Sequence, residues 1–135
     1  MAAPLDFVSV LVADGHHAMR KIIRGLLEQV GIKHIFEAEN GLDAFKWLCD
    51  EKLPLPDVII CELHMDEMDG IKLCNEVRRG KGVRESQIPI IILTGERDPM
   101  VIEVAGQTGA AAVLQKPISS ADLGKEVAKA IGFAG

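Results

Sequence analysis

Four polar residues each stand at the end of a short apolar run in this 135-residue chain: Asp14 after residues 8–13, Glu62 after residues 58–61, Thr94 after residues 90–93 and Lys116 after residues 111–115. Gathered at one place, they could do phosphoryl chemistry. A carboxylate is a nucleophile toward phosphoryl donors, a second acid can hold a divalent cation, and a hydroxyl with an ammonium can bind phosphoryl oxygens. The same four residues also fit a structural ion pair with a cap, because polar residues at strand ends are commonplace. His16 and His17 follow the first acid. Adjacent residues at a helix start point in different directions, which argues against a shared metal or acceptor site. Asp66 and Glu67 lie past the second acid and read as solvated loop charges, with a water-mediated contact to a cation as the alternative.

Five alternations of strand and helix would position these residues. The runs at 8–13, 34–38, 58–61, 90–93 and 111–115 are short and apolar, as expected of strands buried on both faces. Between the first two, Met19, Ile22, Ile23, Leu26, Leu27 and Val30 form a stripe of helical period that Gly31 ends. Asn40 caps a second helix with Leu42, Phe45, Leu48 and Cys49 on one face, broken by Leu53-Pro-Leu-Pro56. Asp69 caps a third helix with Leu73, Cys74 and Val77 inward, and Asp98-Pro99 opens a fourth through Val101 and Val104 that ends before Gly109. Ser119 and Asp122 resemble a capping box for a last helix with Leu123, Val127 and Ile131. Five such units predict an α/β fold, a flavodoxin-like, doubly wound, five-stranded parallel sheet. With strand order 2-1-3-4-5, the order reverses between strands one and three, and Asp14 and Glu62 would face each other at the ligand-binding edge.

Composition narrows the function classes. Fifteen Lys and Arg against twenty Asp and Glu give a net charge of -5, the wrong sign for holding a nucleic-acid backbone. The longest apolar runs fall far short of the ~20 residues of a membrane helix, and the first residues lack the basic start of a signal peptide, so a cytoplasmic protein is expected. Cys49, Cys61 and Cys74 have no CxxC spacing and sit in apolar patterns, as buried reduced thiols would. Residues 78–87 carry Arg78, Arg79, Lys81 and Arg84 among glycines. With no aromatic interleaved to stack on a base, a solvated connection is the better reading than an anion-binding loop.

At this point the motifs resemble those of the response regulator receiver domain, most closely the stand-alone chemotaxis kind. Val10-Leu-Val-Ala-Asp14 is similar to the family's first strand and its acidic end, and Pro56-Asp-Val-Ile-Ile-Cys-Glu62 to the third strand with its acceptor. Met68-Asp-Gly70, Ile90-Ile-Ile-Leu-Thr94, Lys116-Pro117 and Glu37-Ala-Glu-Asn-Gly41 extend the likeness across roughly residues 8–131. The resemblance implies one receiver domain over 1–135 with no output domain. It implies that Glu62 holds the phosphoacceptor position, that Thr94 and Lys116 bind the phosphoryl group, and that Asp14, Glu62 and the His64 backbone carbonyl hold Mg2+. It also implies a Lys116-Pro117 bond that is often cis. Expected partners are a histidine kinase, a phosphotransfer protein or another signalling protein, or a second copy in a homodimer, met through the fourth helix, fifth strand and fifth helix. Val101, Val104, Val113 and Ile118 leave that side rather apolar.

Four positions depart from the family's pattern. The acceptor is Glu62 rather than Asp, one methylene longer, which displaces its oxygens toward Thr94 and Lys116. Gly15 stands where the second metal-binding acid is usual, so the Mg2+ site has lost a ligand a hard cation prefers. Val113 replaces the aromatic switch residue, and Asp66 replaces a proline after Met65. In-line phosphoryl transfer tolerates little misplacement, since ~1 Å can cost about a hundredfold in rate. The sequence therefore predicts a degenerate receiver that is no enzyme and signals by protein–protein contact, with Glu62 paired to Lys116. Slow phosphorylation on Glu62 is the alternative. A flavodoxin-like enzyme or cofactor binder is the remote one, because Asp14-Gly-His-His17 is no phosphate-cradling loop and the chain has no Tyr and one Trp to stack on a flavin.

Overall fold

The structure, a computed structural model, describes residues 4–132. Five strands, β1 (Ser9–Ala13), β2 (His34–Ala38), β3 (Val58–Cys61), β4 (Ile90–Thr94) and β5 (Ala112–Gln115), form one sheet in the order β2-β1-β3-β4-β5. Every pairing is parallel, as the sequence predicts. The central strands are buried throughout because helices cover both faces, which is why their sequences are continuous aliphatic runs rather than alternating ones.

Five helices follow the strands in turn: α1 (His17–Gln29), α2 (Gly41–Cys49), α3 (Gly70–Arg79), α4 (Pro99–Gly106) and α5 (Ser120–Ala130). Four of the five starts are chemically specified. Asn40, Asp69, Asp98 and Ser119 each accept a hydrogen bond from a first-turn backbone N–H, and Pro99 supplies the preset φ of the first turn of α4. Strand alternation sends residues to two cores. Leu11, Ile59, Ile90 and Ile92 pack with Leu48, Leu73, Cys74, Val77 and Ala105 on the side of α2, α3 and α4. Val10, Val12, Ile60, Ile91 and Leu93 pack with Ile23, Leu27, Leu123 and Val127 on the side of α1 and α5. No helix among the described residues is long and apolar enough to cross a membrane.

Several expectations need correction. The first strand begins at Ser9, because the Val8 amide turns back to the Leu5 carbonyl in a short 3-10 turn at Pro4–Phe7. The fourth strand includes Thr94, which pairs with Gln115. In α1 only Ile23 and Leu27 of the apolar stripe are buried, and Ile22 is 54% exposed. A helix laid on a sheet buries a narrower arc than its apolar positions span, and α5 covers only one flank. Cys61 and Cys74 are buried free thiols, but Cys49 is only half-buried at the end of α2. The basic stretch at 78–87 is neither an anion loop nor a purely solvated connection. Arg78 donates to the carbonyls of Ser86, Ile88 and Gly109, and Arg84 to those of Trp47, Leu48 and Leu53. Both guanidinium groups are spent on backbone oxygens of loops and of the last turn of α2.

Candidate functional site

Register brings the polar residues together. Ala13 pairs with Cys61, so Asp14 and Glu62 emerge side by side where the strand order reverses, and Thr94 pairs with Gln115 just before Lys116. Asp14 and Thr94 are wholly buried and Glu62 is 8% exposed. The Lys116 ammonium bridges the acids, donating to Glu62 Oε1 at 2.8 Å and to Asp14 Oδ2 at 3.1 Å. The second oxygen of each acid is also engaged. Asp14 Oδ1 accepts from the His16 amide at 2.8 Å and meets the His16 ring at 3.2 Å, while Glu62 Oε2 accepts from the amides of Leu63 and His64. The Gly95 amide reaches Glu62 Oε1 at 3.4 Å.

These contacts set the charges. Burial alone would raise the Glu62 carboxyl, but the Lys116 ammonium, the Thr94 hydroxyl and the His64 amide outweigh it and hold Glu62 below the ordinary glutamate range. Burial would likewise lower the Lys116 ammonium, and Glu62 and Asp14 raise it instead. The Lys116 ammonium thus bridges the two acids in a triad, and the expected Glu62–Lys116 pair is present.

Other residues complete the surroundings. His64 meets Glu62 through its amide, and its exposed ring pairs with Glu96 Oε1 at 2.7 Å. Glu96 Oε2 accepts from the amides of Arg97 and Asp98, and the Arg97 guanidinium donates to the Lys116 carbonyl at 2.6 Å. The Asp98 amide, the His64 ring and the Arg97 amide together lower the Glu96 carboxyl. The loop after Thr94 is thereby tied to both neighbouring strand ends. Val113 lies half-buried on β5, packed against the core on the side of α2, α3 and α4. The Lys116-Pro117 bond is cis.

Two contributors, Arg20 and Glu96, were missed in the sequence. Arg20 is buried, donates to the Asp14 carbonyl at 2.7 Å and pairs with Glu37, which also takes Arg24. A charge inside an apolar helical stripe was the available signal. The Glu96 clasp left no such trace. Gly70 lies so close to the Glu62 carbonyl that a Cβ would stand 2.8 Å from its oxygen, which makes this glycine a condition of how α3 meets the site.

A sequence profile described as the response regulator receiver domain matches residues 10–128. The chain belongs to the response regulator receiver family. Receivers are the signalling domains of two-component systems, and the fold found here, with its order β2-β1-β3-β4-β5, is theirs. Over 118 residues this receiver is 35% identical to the sensory/regulatory protein RpfC of Xanthomonas campestris pv. campestris, covering 84% of this chain and 15% of that protein. The chain thus spans a small part of that relative's length. A chemotaxis protein of Vibrio cholerae is 26% identical with a TM-score of 0.75, over 91% of this chain and 98% of the other. The receiver domain of a sensor histidine kinase from Pseudomonas aeruginosa PAO1 shares the fold at 21% identity and a TM-score of 0.79, over 93% and 98% of the two chains, and holds magnesium in its active-site cleft.

Receivers bind Mg2+ at this edge, where Asp14 and Glu62 of this receiver both meet the Lys116 ammonium. Beside the triad lies a cleft of about 370 Å³ lined by Gly15, His16, His64, Met65, Asp66 and Asp69. Asp66 and Asp69 are on its wall, yet no three His, Cys, Asp or Glu side chains among the described residues are gathered so as to hold a metal ion.

Proposed function

We propose that this receiver signals by protein–protein contact without being phosphorylated, its own Glu62 carboxylate taking the place of a phosphoryl group. One observation carries the reading. The Lys116 ammonium, which the family would turn on a phosphoryl oxygen, is already on Glu62 Oε1 together with the Gly95 amide, and the Thr94 hydroxyl helps keep that carboxylate ionised. Two donors on each Glu62 oxygen are about as many as a carboxylate accepts, which leaves no lone pair free for an incoming phosphoryl donor.

The contact surface in this reading is the face of α4, β5 and α5. Only Ala105 of α4 is buried, and Met100 and Val104 are 75% and 49% exposed on an otherwise apolar helix. Such a patch suits a signalling partner, a histidine kinase or phosphotransfer protein among them, or a second copy. The domain itself performs no catalysis in this account.

Intact mass after incubation with acetyl phosphate and Mg2+ tests it. The parent protein and Glu62→Gln are expected to keep their masses, whereas Glu62→Asp draws the carboxylate back by a methylene and opens room for a donor. A stable gain of one phosphoryl group by the parent, lost in Glu62→Gln, would replace this reading with slow phosphorylation on Glu62.

A further inference from the structure

We infer that Lys116, not a divalent cation, is the resident counter-charge of this site, and that Gly15 is the residue that decides it. The inference deepens the proposed function and rests on its reading of Glu62 as already engaged.

A small hard cation such as Mg2+ needs oxygen ligands in near-octahedral array and takes at least one or two of them from carboxylates, with waters completing the shell. Among the described residues only Asp14 and Glu62 are buried carboxylates. Each carboxylate oxygen accepts about two hydrogen bonds. Asp14 Oδ1 has the His16 amide and ring, Glu62 Oε1 has Lys116 and the Gly95 amide, and Glu62 Oε2 has the Leu63 and His64 amides. On Asp14 Oδ2 the open position lies beside the Lys116 ammonium, 3.1 Å away. A dication placed there would stand against that like charge and would have to displace it.

The neighbouring position explains why. Gly15 lines the cleft beside the triad and contributes no ligand. Space is not the obstacle, since a Cβ on Gly15 would meet nothing nearer than the Glu39 carbonyl oxygen at 3.8 Å, and its φ is not in the left-handed region. An acid at this position would add a charged ligand facing open cleft, one that Lys116 does not already hold.

Calorimetric titration with Mg2+ and with Mn2+ at constant ionic strength decides the matter. The parent is expected to show no saturable binding in the millimolar range. Gly15→Asp is expected to bind on the order of tenfold more tightly or better, the scale on which ligand charge tunes such sites, and Gly15→Asn to behave as the parent. Melting curves of each variant without metal establish that the fold is kept, and Mg2+ is expected to raise the midpoint of Gly15→Asp alone. Saturable binding by the parent that Asp14→Asn abolishes would overturn the inference. So would a Gly15→Asp variant that melts like the parent and gains no site. Neither readout involves phosphate, so a phosphorylated parent that binds no cation would refute the proposed function and leave Lys116 as counter-charge.

Discussion

At the scale of single residues, one methylene changes the chemistry. Glu62 reaches the Lys116 ammonium and the Leu63, His64 and Gly95 amides and is held there as an ion, and in the proposed function these contacts stand in for those of a phosphoryl group on a shorter acid. This gives a pH signature with a definite sign. Because the folded carboxyl titrates below the ordinary value near 4.5, its stabilisation is complete above that value and is lost as pH falls through the lower folded one. Urea unfolding from pH 7 down to pH 3 is expected to show a stability loss that is shallower in Glu62→Gln over the acid part of the range. An identical slope in the two proteins would contradict the pairing. The carboxylate, the lysine and the threonine were all legible from their places after apolar runs. The engagement of every Glu62 oxygen was not, because it depends on the rotamer that reaches the neighbouring Leu63 and His64 amides and on the Gly95 amide of a loop distant in sequence.

At the scale of elements, helix starts and strand runs follow local chemistry and were readable almost to the residue. Asn40, Asp69, Asp98 and Ser119 cap as their types predict. What local pattern could not decide is how much of each helix meets the sheet, and Ile22 is the clear instance. Gly25 lies in the interior of α1, where a Cβ would meet nothing within 4 Å. Gly25→Ala is expected to raise stability by roughly 0.5–1 kcal/mol, by restricting the unfolded chain and restoring helix propensity. Chemical denaturation checks this, and a loss of stability would mean that the open face is needed bare. The tie from His64 to Glu96 joins two loops far apart in the chain, and no periodicity announces it.

At the scale of the whole molecule, the sheet divides the interior into two cores that do not touch the same strand faces. Leu73 on α3 belongs to one and Leu27 on α1 to the other, and both are fully buried. Each Leu→Ala change is expected to cost about 2–5 kcal/mol, and the double variant about their sum, since the sites share no partners. Thermal or urea unfolding of the three variants measures it, and a large departure from additivity would show the layers coupled through the sheet. The sequence by itself determined the class of fold and the four polar residues at one sheet edge, because short aliphatic runs, capping residues and helical periodicity are local properties of the chain. The tertiary structure alone decided which oxygen meets which donor, that Arg78 and Arg84 are consumed by backbone carbonyls, and that Met100 and Val104 of α4 point outward while Val101 and Ala105 pack inward. Those outcomes depend on register between strands distant in sequence and on the contact area left after five helices have been laid on five strands.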